Sequence, residues 1–198
     1  MPEIYLRPAK KSDAADLALL DNIAGHGISL WFWQQETASG RVEHALATGR
    51  ERMAGSDLIC GWKNSVVAFD DDEIVLGNIA SYVMPTQNET LEDIKQTAPV
   101  FAPVYELFEK AVGTWLIDSL AVYPQSQGRG IGRLLLEDSL LRARENDVSK
   151  AALVVEDTNT LALKLYSNLG FKKQDTKPFI EFDGPSETKE WLLMTAQL

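Results

Sequence analysis

The sequence predicts a mixed α/β fold of the α+β kind, in which strands cluster and pair antiparallel in place of a repeating βαβ wind. The apolar runs 66–69 and 74–83 flank Asp70-Asp71-Asp72, the pattern of an antiparallel hairpin. Two further apolar strands, 114–122 and 151–155, bracket an amphipathic helix from about residue 132 to 145. A chain of 198 residues, 45% hydrophobic and 24% charged, has the size and composition of one globular domain spanning 1–198. Disordered and fibrous architectures are excluded.

Residues 4–7 alternate apolar and polar and read as an opening strand. Ser12 stands as the N-cap of a helix running towards Ile23, closed by Gly25-His26-Gly27. The aromatic run Leu30-Trp31-Phe32-Trp33 follows, then a second helix over about 37–53 with a charged face. A strand is expected over 56–62, ahead of the hairpin. Residues 85–113 read as an inserted segment, polar in its first half and helical from Pro103 in its second. A connection that long inside a domain is usually functional or mobile, so an insertion or a lid is the expectation. Asp157-Thr158-Asn159 caps a helix to Asn168, which Gly170 closes in the left-handed position. The last two strands run from Phe171 onward and over 191–196, joined through Asp183-Gly184.

The formal charge is −10. That balance repels a phosphate backbone and argues against nucleic-acid binding, and it favours a cationic partner such as an amine. A single cysteine, Cys60, excludes an internal disulfide and a multi-cysteine zinc site; in the run Leu58-Ile59-Cys60 it reads as a packing residue. His26 and His44 are the only histidines, read as surface or turn residues, so no metal site is expected. No segment reaches the roughly 20 apolar residues of a membrane helix, and the first residues lack a signal-peptide pattern. The expectation is a cytoplasmic protein without a membrane partner.

The most informative stretch is Gln127-Gly128-Arg129-Gly130-Ile131-Gly132, between an apolar strand and a helix. Glycines let a ligand approach the backbone, and a helix start offers unpaired N–H groups and a positive dipole end. Together these bind phosphate or pyrophosphate. A P-loop fails here, since Gly132 is followed by Arg133-Leu134 and not by Lys and Ser or Thr. A dinucleotide fingerprint fails too, since Arg133 stands where its third glycine belongs. A coenzyme A site and a glycine-rich turn without a ligand remain.

The stretch from Leu120 through Gln127, Gly130 and Gly132 to Leu136 resembles the acyl-CoA signature of the GNAT family of N-acetyltransferases, which has Gln or Arg, Gly, and Gly or Ala at those three places. Downstream, Asn159, Leu165-Tyr166 and Gly170-Phe171 are similar to that family's second signature. The resemblance covers about residues 114–173. It implies the GNAT acyl-CoA N-acyltransferase fold: a bent, mostly antiparallel sheet flanked by helices, with a CoA cleft between two splayed parallel strands. It implies acetyl-CoA as cofactor and transfer of the acetyl group by direct attack of the primary amine of a small molecule. The alternative is a non-catalytic acyl-CoA-binding sensor or regulatory module of the same fold. The implied partner is a small-molecule amine acceptor, with neither nucleic acid nor membrane; a homodimer is left open.

Residue by residue, the resemblance implies that Leu120, Ala121 and Val122 pair with the pantetheine arm, and that Gln127, Gly128, Arg129, Gly130, Ile131, Gly132 and Arg133 hold the pyrophosphate. Asn159 would face the pantetheine or acyl end, and Tyr166 would protonate the leaving thiolate as general acid. A phenol, with a reference pKa of about 10, is protonated at neutral pH and can donate. Read from the residues alone, Tyr166 also falls on a packing stripe with Ala162, Leu165 and Leu169, and Asn159 is also a helix N-cap. Asp118 interrupts an apolar strand and is the candidate base, because a charge there is costly unless paired or solvated in a cleft. Glu36 and Glu156 are further carboxylates for that role. Trp31, Trp33 and Glu36 lie where the family's acceptor site falls, and the aromatics offer a wall for a cation.

Overall fold

The computed structural model describes residues 3–37, 42–55 and 59–198. Along the chain the elements are β1 (Tyr5–Pro8), α1 (Ala14–Ala24), α2 (Ile28–Glu36), α3 (Val42–Ala54), β2 (Ser65–Phe69), β3 (Val75–Val83), α4 (Leu91–Thr97), α5 (Ala102–Glu109), β4 (Trp115–Val122), α6 (Ile131–Glu145), β5 (Lys150–Glu156), α7 (Thr160–Asn168), β6 (Lys172–Pro178) and β7 (Glu190–Gln197). The chain divides into two compact units: Met1–Tyr82 with Asp118–Ser139, and Val83–Ile117 with Leu140–Leu198.

In the first unit, Asp13 and not Ser12 prepares the start of α1. Its carboxylate accepts the Lys10 amide at 2.7 Å and the Arg7 guanidinium at 2.7 and 3.0 Å. A carboxylate satisfies an orphan amide and takes a two-pronged arginine at once, which a serine hydroxyl cannot do. Burial works against the Asp13 charge, but Arg7 and the Lys10 amide hold the carboxyl below its usual range. The aromatic run forms α2, and Asn22 Oδ1 receives the Leu30 amide at 2.9 Å near its start. Sequence periodicity hides this helix because apolar residues occupy consecutive positions.

The expected strand over 56–62 is not formed where it can be seen. Residues 56–58 lie outside the described residues, residues 59–60 turn, and Trp62–Asn64 is a 3-10 turn. Asn64 Nδ2 donates to the Ile59 carbonyl at 2.8 Å and Ser65 Oγ to that of Gly61 at 3.0 Å, so side chains supply the partners that a ladder would have given. Thr37, expected to open the second helix, instead follows α2 as its C-cap, and residues 38–41 lie outside the described residues. The hairpin forms as expected, with β2 and β3 antiparallel and β1 antiparallel to β2. The core beneath gathers Leu17 of α1, Trp33 of α2, Met53 of α3 and Val67 of β2. At Gly49 a Cβ would lie 2.5 Å from the Trp33 ring, so α3 presses its bare backbone against the indole.

In the second unit, residues 85–113 are more helical than expected. The polar first half holds α4, opened by a reciprocal cap in which Thr90 Oγ1 accepts the Asp93 amide at 3.2 Å and the Asp93 carboxylate accepts that of Thr90 at 3.1 Å. Helix α5 follows, and the Tyr105 hydroxyl donates to the Glu89 carbonyl. Ion pairs Lys110–Asp175 and Lys177–Glu106 tie the α5 region to β6. The segment is thus packed into this unit's helices and strands.

The second half of β4 lies beside β3, closed by the Tyr123 amide on the Leu76 carbonyl at 2.9 Å. Its first half pairs with β5 in parallel from Trp115↔Ala151 to Ile117↔Leu153, and β7 is antiparallel to both β5 and β6. The strand order is β1-β2-β3-β4-β5-β7-β6, a seven-stranded, mostly antiparallel sheet in a mixed α/β fold. The parallel register with β5 ends at Ile117, while β4 continues to Val122.

Candidate active site

The glycine loop lies in the first unit. Beyond β4 a 3-10 turn at Pro124–Ser126 leads to Gln127, whose Nε2 donates to the Val122 carbonyl at 3.1 Å. Gly128 and Gly130 have φ of 75° and 80°, conformations that side chains rarely adopt, and a Cβ at either would meet nothing within 4 Å. The backbone here is therefore bare and open on that side. Helix α6 begins at Ile131, and the Leu134 amide bonds the Gly130 carbonyl at 3.0 Å. The amides of Ile131, Gly132 and Arg133 precede that first bond and are the orphan donors of the helix start. Arg129 is half-buried; Arg133 is exposed and pairs with Glu137 at 2.8 Å. Bare backbone, orphan amides and two arginines fit a pyrophosphate. Ala121 is buried, with Leu120 and Val122 half-buried beside it on β4.

Asp118 gathers groups from three other places in the same unit. Tyr82 of β3 and Cys60 hydrogen-bond its carboxyl, and the Asp21 carboxyl of α1 lies near enough to act on it by charge. Burial first, and then the Asp21 charge, push the Asp118 pKa up to about 7; the Tyr82 and Cys60 hydrogen bonds work the other way. Asp21 is raised by burial as well, while Ser29 Oγ donates to its carboxylate at 2.7 Å. Burial and the two carboxyls push the Cys60 thiol well up, so it is not a poised nucleophile. Among the described residues no group of three or more His, Cys, Asp or Glu side chains is arranged to hold a metal ion. A carboxyl titrating near neutrality suits proton transfer at physiological pH.

The second unit holds the other predicted residues. Asn159 caps α7, its Oδ1 accepting the Ala162 amide at 3.2 Å. Tyr166, two turns further on, is 8% exposed, and its ring centroid is 6.0 Å from that of Phe171. Burial pushes its phenol up to about 12, so it stays protonated through the neutral range and can act as a donor. Glu156 ends β5, buried and opposite Trp191 of β7.

The acceptor candidates of the first unit separate. Trp33 is buried in the helical core, 5% exposed. Trp31 is half-buried and meets Phe32 edge-on at 5.1 Å. Glu36 pairs with Arg52 of α3 at 2.7 Å. His26 and His44 are exposed, His26 in the turn between α1 and α2. Sequence reasoning missed Asp21, Cys60 and Tyr82 as neighbours of Asp118. The one local signal was an aspartate on the otherwise apolar stretch of α1 around Leu19-Leu20.

A family model described as the acetyltransferase (GNAT) family matches residues 31–171. The chain belongs to that family of acetyltransferases. A mycothiol acetyltransferase of Tsukamurella paurometabola is 36% identical over 67 residues, 34% of this chain and 23% of that relative, so the chain matches less than a quarter of its length. A peptidyl-lysine N-acetyltransferase of Salmonella typhimurium, YjaB, is 28% identical over 60% of this chain and 77% of that protein. In fold, the chain is similar to the PaiA N-acetyltransferase of Thermoplasma acidophilum solved with coenzyme A, with a TM-score of 0.62, 14% identity and 99% of each chain covered. No helix among the described residues is long and apolar enough to cross a membrane.

Proposed function

We propose that this protein transfers the acetyl group of acetyl-CoA to the primary amine of a small molecule by direct attack. The observation that carries the reading is the loop of residues 127–133, where two left-handed glycines feed orphan amides at a helix start within the matched family region. Acetyl-CoA supplies an activated acyl thioester when bound. The loop amides with Arg129 and Arg133 bind the pyrophosphate, and Leu120, Ala121 and Val122 present their backbone to the pantetheine arm. Asn159 spends Oδ1 on its cap, so what it offers the pantetheine is its amide nitrogen. Asp118 takes a proton from the incoming ammonium and leaves a nucleophilic amine. As the carbon–sulfur bond breaks, Tyr166 gives its phenolic proton to the departing sulfur, and the second proton that the nitrogen sheds as the amide forms restores the phenol. Holding the reactants in place supplies several of the roughly 7–11 kcal/mol that positioning can contribute. Trp31 is proposed as an aromatic wall of the acceptor site; Trp33 and Glu36 are committed to the core and to Arg52.

Coenzyme A is expected to raise the melting temperature, whereas NAD and ATP do not, because ligands that bind only the folded state stabilise it. Gly130→Glu is expected to abolish that rise, since it forces a strained φ of 80° and puts a negative charge into the open space beside the loop. Thermal shift with millimolar coenzyme A checks both. No rise for the wild type would overturn the cofactor assignment.

A further inference from the structure

We propose that Tyr123 is a positioning residue for the cofactor: by hydrogen-bonding Asp16 of α1, it holds the stem of the glycine loop in the direction that coenzyme A needs. The inference rests on the coenzyme A reading of that loop.

The loop has little to hold it from within. Gly128 and Gly130 carry no side chain, and a Cβ at either would meet nothing within 4 Å. Glycine backbone keeps the most freedom to lose. Its aim therefore depends on the two stems. Downstream, Ile131 is 2% exposed and Leu135 is fully buried, which anchors the start of α6. Upstream, β4 is fixed as far as Val122, because β3 passes so close that a Cβ on Gly77 would lie 2.6 Å from the Ala121 carbonyl oxygen. Tyr123 is the first residue beyond that strand.

Three bonds hold Tyr123, each to a different element. Its amide donates to the Leu76 carbonyl of β3 at 2.9 Å, and its carbonyl accepts the Ser126 amide at 2.8 Å, closing the turn that leads to Gln127. The two backbone bonds lie along the chain's own path. The third leaves it: the Tyr123 hydroxyl donates to Asp16 Oδ1 at 2.7 Å, across 107 positions of sequence. Asp16 stands in the first turn of α1, where the positive end of the helix favours a carboxylate. That turn is itself pinned, since Asp13 holds the Arg7 guanidinium at 2.7 Å. A phenylalanine would fill the same half-buried space, so the hydroxyl adds direction and not bulk. A hydrogen bond to a charged acceptor is short and strongly oriented. Burial first, and then the Asp16 hydrogen bond, push the Tyr123 phenol up, so the bond keeps its proton through the working pH range. Binding amides must be held to within about 0.5 Å of their productive places, and a bare glycine loop meets that demand only through its stems.

The test is titration calorimetry of coenzyme A, far below the melting transition of each variant. Tyr123→Phe and Asp16→Ala break the bond from its two sides, and each is expected to weaken binding about tenfold. The double variant is expected to lose no more than either single one, because both remove the same bond. Asp16→Asn keeps an oxygen acceptor and is expected to stay within about threefold of the wild type. Tyr5→Phe is the control. The Tyr5 hydroxyl also bonds carboxylates, those of Glu3 at 3.0 Å and Asp71 at 3.1 Å, and its loss is expected to leave the affinity unchanged. A purely structural bond would lower the melting temperature of the free protein and leave coenzyme A affinity unmoved. Wild-type affinity in Tyr123→Phe, additive losses in the double variant, an Asp16→Asn as weak as Asp16→Ala, or an equal loss in Tyr5→Phe would overturn the proposal. Failure of the coenzyme A reading shows instead in the wild type, as absent binding.

Discussion

Asp118→Asn is expected to lower kcat/KM by about 10²–10⁴-fold, the usual worth of a positioned base, and at the same time to raise the melting temperature at pH 8. The two effects have one cause. The Asp118 carboxyl titrates at about 7 in the folded chain, against an ordinary 3.8. Between those values the folded chain holds a proton that the unfolded chain has released, so stability falls as pH rises through that window. Above it the native state carries a buried charge, which asparagine removes. For catalysis the same titration runs the other way. The base works only when ionised, so wild-type kcat/KM is expected to climb with pH and level off above about 7. That limb should be missing from the residual activity of the variant. Rate and melting profiles over pH 5–9 check all three expectations. A variant with wild-type turnover would return Asp118 to a structural role.

Tyr166→Phe is expected to cut turnover by roughly 10²-fold or more while leaving coenzyme A affinity little changed. Phenylalanine keeps the ring against Phe171 and removes only the hydroxyl. With its pKa pushed up to about 12, Tyr166 stays protonated throughout the working range, so loss of the donor should appear as a uniform drop in kcat across pH. The measurement is steady-state kinetics alongside a coenzyme A titration. Equal loss of binding and turnover would assign the hydroxyl to the cofactor site and not to proton transfer.

Legibility in the sequence followed the range of the interactions. The glycine loop, the Asn159 cap and the Asp70-Asp71-Asp72 hairpin depend on neighbours within a few residues, and each forms where the sequence put it. Helix α4 also had a local signal, the Thr90–Asp93 cap, but its polar surface made it read as loop. Helix α2 lacked periodicity because its apolar residues are consecutive. The strand expected over 56–62 had apolar residues, but Gly61 and Asn64 favour the turn that the structure shows there. Asp118 was visible as a charge inside an apolar strand. Its neighbours were not, because Asp21, Cys60 and Tyr82 come from a helix, a turn and another strand, each well over thirty residues away in sequence. Trp33 matched a site residue in type and position, and only its packing against Gly49 shows where its side chain is committed.

Amine-dependent cleavage of acetyl-CoA by this chain is read out by following free thiol from acetyl-CoA against a library of primary alkylamines, with mass spectrometry of the amine. The expected result is thiol released one-for-one with N-acetylated amine, strongly reduced in Asp118→Asn and Tyr166→Phe. Contradiction would be coenzyme A that binds and stabilises the protein while no amine in the library releases thiol above the buffer rate.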